Sequence, residues 1–511
     1  MLPRRRSLAL LAILALAMVV VSYTVVIFIA AACVGLPLLV LMSSGSPGVQ
    51  TIILLVCGIA MAGTMLWSLV PRRDKFIEPG PRINRASHPR LFDELEYIAG
   101  ILNEPLPEEI FLIAQVNAFV TDRGGIMGFG SRRVMGIGLP LLGVLSVTEF
   151  RAVLAHEFAH YYGGDTRLGP FVYKTRQAMI RTIQNMASMS DLMQIAVAQL
   201  VYRLVMWILQ GYWNLFFRST QLISRAQEYR ADELACHITG SEPLISGLKK
   251  ISGGTAAFPP YWSFEIVPFL GNGYRPAITE GFELFIKAPE ISKQIDQHLE
   301  TELQQTKTSP YDSHPPLRDR IAAAKLLPSR QPVTDLATPA RTLLNDLPSE
   351  EARILAMSSS EAQVSALKPL AWNDVPAILP RIWAENVNNN AHLLGNLTPE
   401  CVPDIISKLP EIGSRIPDPK GMLLRPEQRT GRAAELIGTA LALAIVNAGW
   451  QLHMTPGERY YELGAERFSV REFLGGLLAN KISRDEWVQR CHALKITGVR
   501  LAGPVQAAAC P

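Results

Sequence analysis

Two histidines and a glutamate stand at a spacing that suits a catalytic metal ion. They are His156, Glu157 and His160, which lie in an apolar stretch of the 511-residue chain. On an α-helix, residues four apart lie one turn apart on the same face, so both imidazoles can reach one ion. Glu157 is rotated by about 100° from His156 and lies beside that face, where its carboxylate can act as a general base. The spacing predicts two metal ligands, His156 and His160, and a catalytic base, Glu157.

A third ligand must come from elsewhere in the chain, because catalytic zinc takes three protein ligands and leaves a fourth position open. The segment Ser224 to Asp232 offers Glu228 and Asp232, which would share a helix face one turn apart. One carboxylate can bind the metal while the other accepts the N–H of a ligating histidine and fixes its tautomer. The alternative for Asp232 is a surface ion pair with Arg225 or Arg230.

With these residues the chain resembles the integral-membrane gluzincin metallopeptidases of the HtpX and CAAX prenyl endopeptidase family. Their pattern is HExxH followed by a helix that bears ExxxD, and the resemblance spans roughly residues 82–326. It implies a zincin-type peptidase with one Zn²⁺ per chain. It also implies Glu228 as the third zinc ligand and Asp232 as the group that orients a histidine.

Two further segments carry the resemblance. Asn117 and Ala118, followed by Phe119, match an edge-strand segment of the family, which implies that they contact an extended polypeptide substrate. His314, in a Ser-His-Pro-Pro run that Arg320 follows, is implied to face the active site and to stabilise the oxyanion. The alternatives are a plain turn residue for Asn117 and packing beside the prolines for His314.

The elements that must position these side chains follow from the local pattern. Ser146 and Glu149 form a capping-box pattern that predicts the start of the metal-binding helix. We expect this helix to run to about Tyr162, where Gly163 and Gly164 end it. A helix over 92–102 and strands over 110–114 and 133–139 complete a mixed α/β unit.

The composition favours a membrane protein, since 49% of the residues are hydrophobic and only 18% are charged. Ser7 to Met42 and Val49 to Val70 are long enough to cross a bilayer and predict spans of about 8–34 and 49–70. Arginines and lysines flank the two outer ends of this helical hairpin. The positive-inside rule places both flanks, and the whole chain after Arg72, in the cytoplasm. A cleaved signal peptide is the alternative, but its apolar region would be shorter.

A third apolar run, 195–217, is constrained by topology. His156, His160 and Glu228 must meet at one ion, so the chain between them crosses the membrane an even number of times. A partner crossing in 168–190 would place Lys174, Arg176 and Arg181 in lipid, at a cost of about 2.5–3.5 kcal/mol each. We therefore expect no crossing there and a long, partly buried helix pair that leans on the bilayer surface; two crossings are the alternative.

The predicted fold class is mostly α with a small β-sheet (α+β), divided into four parts. The chain is expected to form a transmembrane hairpin (1–74), a zinc metallopeptidase domain (75–330), a linker and helical region (331–425) and a small α/β domain of unknown role (426–511). In the last part, 450–454 predicts a strand and Pro456-Gly457 a turn. Ser469 and Ser483 are predicted to open helices.

The function these observations predict is that of a membrane-anchored zinc-dependent endopeptidase. The resemblance implies membrane-protein substrates, a role in membrane protein quality control and a bacterial inner membrane with the catalytic domain in the cytoplasm. One alternative is a processing protease for lipidated C-terminal peptides, and another is a non-catalytic membrane scaffold. The net charge of +4 is too small to indicate a nucleic-acid partner.

Overall fold

The computed structural model describes most of the chain. The described residues are 9–43, 48–70, 76–125, 130–162, 169–189, 196–305, 314–327, 337–418 and 424–502. They are mostly helical with three small sheets, as the predicted α+β class requires.

The chain folds into two units, one of residues 1–256 and 295–361 and one of residues 257–294 and 362–511. The predicted division at 330 and 425 differs from this arrangement. In the second unit, a strand at Tyr274–Pro276 pairs in parallel with one at Lys368–Leu370. A pairing between segments so far apart in sequence leaves no local pattern from which to predict it.

Two long apolar helices begin the first unit, α1 (Ala9–Ser43) and α2 (Val49–Leu69). Both are long and apolar enough to cross a membrane. They pack closely at Gly58, where an added Cβ would lie 2.0 Å from the carbonyl oxygen of Cys33. The predicted end of the first span near residue 34 is corrected, because α1 continues through Pro37 to Ser43. A proline removes one helical hydrogen bond, whereas ending the helix inside an apolar stretch would expose several backbone groups.

A four-stranded sheet follows α2 in this unit. Its strands are β1 (Arg82–Ile83), β2 (Glu109–Ile113), β3 (Ala118–Arg123) and β4 (Arg132–Gly138), in the order β1-β2-β4-β3. β2 pairs with β4 in parallel, and β3 pairs with β4 antiparallel. β3 therefore forms one edge of the sheet.

Three helices pack with the sheet, α3 (Pro89–Leu102), α4 (Leu139–Val144) and α5 (Val147–Ala159). The predicted capping box of α5 is confirmed: the Ser146 hydroxyl accepts from the Glu149 N–H at 3.2 Å, and the Glu149 carboxylate accepts from the Ser146 N–H at 2.7 Å. α5 ends before Tyr162, and the predicted Gly163-Gly164 stop lies outside the described residues.

Two helices connect the region of the four-stranded sheet with α1 and α2. They are α6 (Gly169–Ala187) and the 44-residue α7 (Ala196–Thr239), which carries both the apolar run predicted at 195–217 and the segment with Glu228 and Asp232. Within the described part of the chain, α1 and α2 alone meet the length and hydropathy expected of a complete span.

Residues 337–348 are the first described residues of the region predicted as a linker and helices (331–425). They pack in the first unit. The Val147 N–H donates to the Thr338 carbonyl at 2.9 Å, and the Ala340 N–H donates to the Leu145 carbonyl at 2.8 Å. These bonds satisfy backbone groups next to the cap of α5, which explains why a proline-rich stretch is ordered here. The other helices wholly or partly in this unit are α8 (Ser241–Tyr261), α11 (Pro289–Gln304), α12 (Leu317–Lys325), α13 (Leu347–Ser358) and α14 (Glu361–Ser365).

The second unit confirms the local predictions for the C-terminal part. β7 (Gln451–Thr455) and β8 (Glu458–Leu463) form a hairpin, and β9 (Glu466–Phe468) pairs with β8. Ser469 and Ser483 cap α20 (Val470–Leu478) and α21 (Arg484–Ala493). The remaining elements are α9 (Val267–Gly271), β5 (Tyr274–Pro276), α10 (Ile278–Lys287), β6 (Lys368–Leu370), α15 (Val375–Asn389), α16 (Ala391–Leu394), α17 (Val402–Ile405), α18 (Leu409–Arg415) and α19 (Pro426–Asn447).

Candidate metal centre

Helices α5 and α7 bring the three predicted metal ligands together. His156 lies in the last turn of α5, His160 follows the end of that helix, and Glu228 lies on α7. One ligand atom from each of these residues lies within 4.8 Å of the other two. His156 and Glu228 are buried, and His160 is partly exposed. Solvent therefore reaches the cluster at His160.

The separations within the cluster fit a small tetrahedral ion. The Nε2 atom of His156 lies 3.5 Å from Oε2 of Glu228, and the Nε2 atom of His160 lies 3.5 Å from Oε1 of the same carboxylate. Ligands about 2.0–2.1 Å from a tetrahedral zinc ion lie about 3.3–3.5 Å from one another. Two imidazoles and one carboxylate also form a donor set typical of catalytic zinc, so the residues present fit this ion.

Asp232 holds one of the two imidazoles by its other nitrogen. Its Oδ1 lies 2.9 Å from Nδ1 of His156, which leaves Nε2 directed at Glu228. A carboxylate in this position fixes the tautomer and the ring orientation of a metal-binding histidine. The alternative of a surface pair with Arg225 or Arg230 does not fit a carboxylate that is only 2% exposed.

Arg320 is the cation that contacts Asp232, and our sequence analysis assigned it no role. Its Nε and Nη2 donate to the two carboxylate oxygens of Asp232 at 2.8 and 2.7 Å. Its Nη1 also lies 3.6 Å from Oε2 of Glu228. Arg320 lies on α12 and is buried. Its place four residues after Pro316 was the available signal, but the partner lies 88 residues away in sequence.

Glu157, the predicted base, lies between the metal cluster and the edge of the sheet. Its Oε2 accepts a hydrogen bond from the Val120 N–H of β3 at 3.3 Å. Burial raises the pKa of Glu157 to about 7, opposed by the charge of His156 and supported by that of Glu228. A carboxylate with such a pKa can both take up and release a proton near neutral pH.

The two predicted substrate-binding residues lie at the start of β3. Ala118 pairs with Ile137 of β4 and is buried, whereas the side chain of Asn117 is exposed. The Asn117 carbonyl accepts from the Gly138 N–H at 2.8 Å. Both residues therefore lie on the edge strand whose Val120 contacts Glu157, and their contact with substrate stays a prediction.

His314 reaches the cluster from the segment before α12. Its Nδ1 lies 2.9 Å from Oε2 of Glu228, and its side chain is 66% exposed. The predicted position facing the site is consistent with this contact, while the predicted role at the oxyanion is untested.

The two histidines have opposite proton affinities. Burial lowers the pKa of His156, but its bonds to Asp232 and Glu228 outweigh burial and raise it to about 9. Burial and the neighbouring charge of His156 lower the pKa of His160 to about 4. At neutral pH the Nε2 proton of His156 therefore lies where an ion would bind.

Zinc binding should release this proton. At pH 7 we expect release of about one proton from Nε2 of His156, plus a fraction from Glu157, because a cation disfavours both protonated forms. The number should fall as the pH rises through 9, because His156 loses its proton there without help from an ion. Calorimetric titration in buffers of different ionisation heats measures it; zinc binding without proton release at pH 7 would contradict the described cluster.

Replacing Arg320 tests how Asp232 is held. Arg320→Met leaves a buried carboxylate without its cation, so we expect zinc affinity to fall by about 10–100-fold and the protein to lose about 3–5 kcal/mol of stability. Arg320→Lys keeps the charge but not the two parallel bonds and should lie between. Competition with a chelator measures affinity. Arg318→Met, a more exposed position on α12, is the control; wild-type affinity in Arg320→Met would refute the proposed link.

Comparisons with known proteins agree with this geometry. Residues 86–327 match Peptidase family M48. The chain is 28% identical over 215 residues to Protease HtpX of Actinobacillus pleuropneumoniae serotype 5b, covering 40% of this chain and 70% of that protein. Protease HtpX of Xylella fastidiosa is 28% identical over 219 residues, with the same coverage, and that of Shewanella pealeana 26% over 203 residues, with 37% and 66%. No solved structure matches the chain. These matches support the HtpX/M48 metallopeptidase family for residues 86–327, as the resemblance predicts.

Proposed function

We propose that this chain is a membrane-anchored, zinc-dependent endopeptidase. The observation that carries the proposal is the meeting of His156, His160 and Glu228 within 4.8 Å, with Glu157 beside them. The match of residues 86–327 to Peptidase family M48 and the two apolar helices α1 and α2 support the broader assignment to a membrane-associated protease.

Zinc is the metal that this donor set favours. Harder cations such as Mg²⁺ and Ca²⁺ prefer sites built from oxygen ligands alone, whereas two imidazoles suit zinc. When bound, zinc would polarise the scissile carbonyl and make an attacking water more acidic. Asp232, held by Arg320, keeps the Nδ1 proton of His156 and so presents Nε2 to the ion.

Glu157 supplies the proton transfers. Its carboxylate takes a proton from the attacking water and passes it to the departing amine, so no covalent intermediate with the enzyme is needed. The contact with Val120 fixes the carboxylate next to β3. An extended substrate that pairs along this edge would place its scissile bond beside the base, with Asn117 and Ala118 contacting its backbone. His314 would stabilise the oxyanion.

The substrates we propose are misfolded or surplus membrane proteins. The support is indirect: α1 and α2 anchor the site at a bilayer, and an edge strand reads backbone more than side chains, which suits varied sequences. The arginines and lysine that flank the two helices favour a cytoplasmic site. The bacterial sources of the similar HtpX proteins favour a bacterial inner membrane.

Glu157→Gln should abolish hydrolysis and leave the metal in place. The amide cannot accept a proton, so we expect a loss of about 10²–10⁴-fold in the rate of casein cleavage. Metal content, measured on the same sample, should stay at that of the wild type. Glu233→Gln, on α7 and paired with Arg230, changes a carboxylate away from the cluster and is the control. Retained cleavage in Glu157→Gln would refute the assignment of the base.

A choice of substrates separates the three candidate functions. The full chain in liposomes would be offered casein, a destabilised membrane protein with a soluble loop, and a farnesylated C-terminal peptide. We expect chelator-sensitive cleavage of the first two. Cleavage of the farnesylated peptide alone would favour the processing protease, and a metal-free protein that cleaves none would favour the scaffold.

A further inference from the structure

Helices α6 and α7 cover only one half of the α1–α2 pair. The buried residues of α2 all lie between Gly58 and Leu69, at its C-terminal end. Among the α1 side chains that the structure describes, the buried ones lie between Val19 and Cys33. The other halves of both helices are apolar and exposed, with Leu39 at 64% and Val49 at 73%. On α2, the covered half is the C-terminal one, which is closer in sequence to the peptidase domain.

The end of α6 shows how far this cover reaches. Arg181 donates to the Ser68 carbonyl at 3.2 Å, and Asn185 donates to the Ser68 hydroxyl at 2.9 Å. One turn further, Met189 accepts from the Thr64 hydroxyl at 3.1 Å. α6 therefore runs antiparallel to α2, and its described end reaches the level of Thr64. From Gly58, the limit of the covered half, α2 continues for about 14 Å to Val49.

The first half of α7 packs on the same region. Ala198, Val205 and Leu209 share a buried cluster with Val26 and Met65. The Tyr212 hydroxyl donates to the Met18 carbonyl at 3.1 Å and lies 3.0 Å from the Ser22 hydroxyl. Apolar packing and polar bonds together fix α7 against α1.

The opposite face of α7 exposes a row of large apolar side chains. They recur every three or four residues, which places them on one face of the helix, and they are 38, 69, 56 and 73% exposed at Val197, Leu200, Leu204 and Trp207. This row lies beside α1 and α2, which carry exposed apolar side chains of their own. Acyl chains that surround α1 and α2 would contact this row too, and a contiguous apolar surface of this kind is unfavourable in water.

We propose that α6 and the first half of α7 form a hairpin that inserts about halfway into the membrane and binds the acyl chains of one leaflet through the row Val197, Leu200, Leu204 and Trp207. The proposal rests on the membrane anchoring by α1 and α2. It meets the requirement for an even number of crossings, because the hairpin enters and leaves on one side.

The charges of the hairpin are compatible with this depth. Arg203, exposed on α7 between Leu200 and Leu204, can extend its long side chain to the bilayer surface. Arg181 lies at the level of Ser68, one residue from the end of α2, where a guanidinium is near the bilayer surface. A complete crossing would move such charges to the centre of the bilayer, where they are costly. α7 then continues without a break to Glu228, so the element that contacts lipid also carries a residue of the metal cluster.

Tryptophan quenching measures the depth. In the full-length chain in liposomes, Val197→Trp, Leu200→Trp and, as a reference on α2, Ile59→Trp would each be compared with the parent protein. The quenchers are lipids brominated at different acyl positions and iodide in the buffer. Tyr97→Trp, on an exposed position of α3, is the control that iodide should quench.

We expect the tryptophans at 197 and 200 to be quenched best by bromines that lie closer to the bilayer surface than those that quench the tryptophan at 59. Iodide should quench the tryptophans at 197 and 200 at least threefold less than the tryptophan at 97. Three results at positions 197 and 200 would overturn the half-inserted hairpin. These are quenching by iodide alone, quenching by neither agent, and quenching by bromines at least as deep as those that quench position 59. The second result would indicate a covering protein, such as another copy of this chain. Failure of lipid to quench position 59 would instead refute the anchoring itself.

Discussion

The structure depends on holding three carboxylates close together in a largely buried site. Glu157, Glu228 and Asp232 lie around the two histidines, and Arg320 is the buried cation that contacts two of them. The single guanidinium of Arg320 does not balance the negative charge of the three carboxylates. The remaining like charges repel strongly in surroundings of low polarity. A divalent cation bound by His156, His160 and Glu228 would neutralise this excess negative charge. The same balance explains why His156 takes up a proton in the absence of metal.

Local pattern predicts much of this site and of the elements that carry it. The capping box at Ser146, the spacing of His156 and His160, and the strands predicted at 110–114 and 133–139 all express short-range rules, and the structure has α5, β2 and β4 close to where these rules place them. The edge strand β3 was implied only by the family resemblance. Glu228 requires one further argument, since a catalytic ion needs a third ligand.

Features that depend on distant contacts were not predicted. Arg320 is recognisable as important only once α12 lies against α7, because nothing in its own segment indicates Asp232 as a partner. The ordering of residues 337–348 depends on backbone hydrogen bonds beside α5. The pairing of β5 with β6 joins two segments of the second unit that are separated in sequence by residues 295–361 of the first unit. The extension of α1 through Pro37 reflects the cost of ending a helix in apolar surroundings, which outweighs a local helix breaker.

The central claim is that two imidazoles and one carboxylate bind a single zinc ion, and X-ray absorption at the zinc edge of the purified full-length chain tests it most directly. The account predicts one zinc per chain with nitrogen and oxygen neighbours at about 2.0–2.1 Å and the scattering signature of two imidazoles. A sulfur neighbour at about 2.3 Å, which would indicate cysteine ligation, or a spectrum with no imidazole contribution, would contradict it.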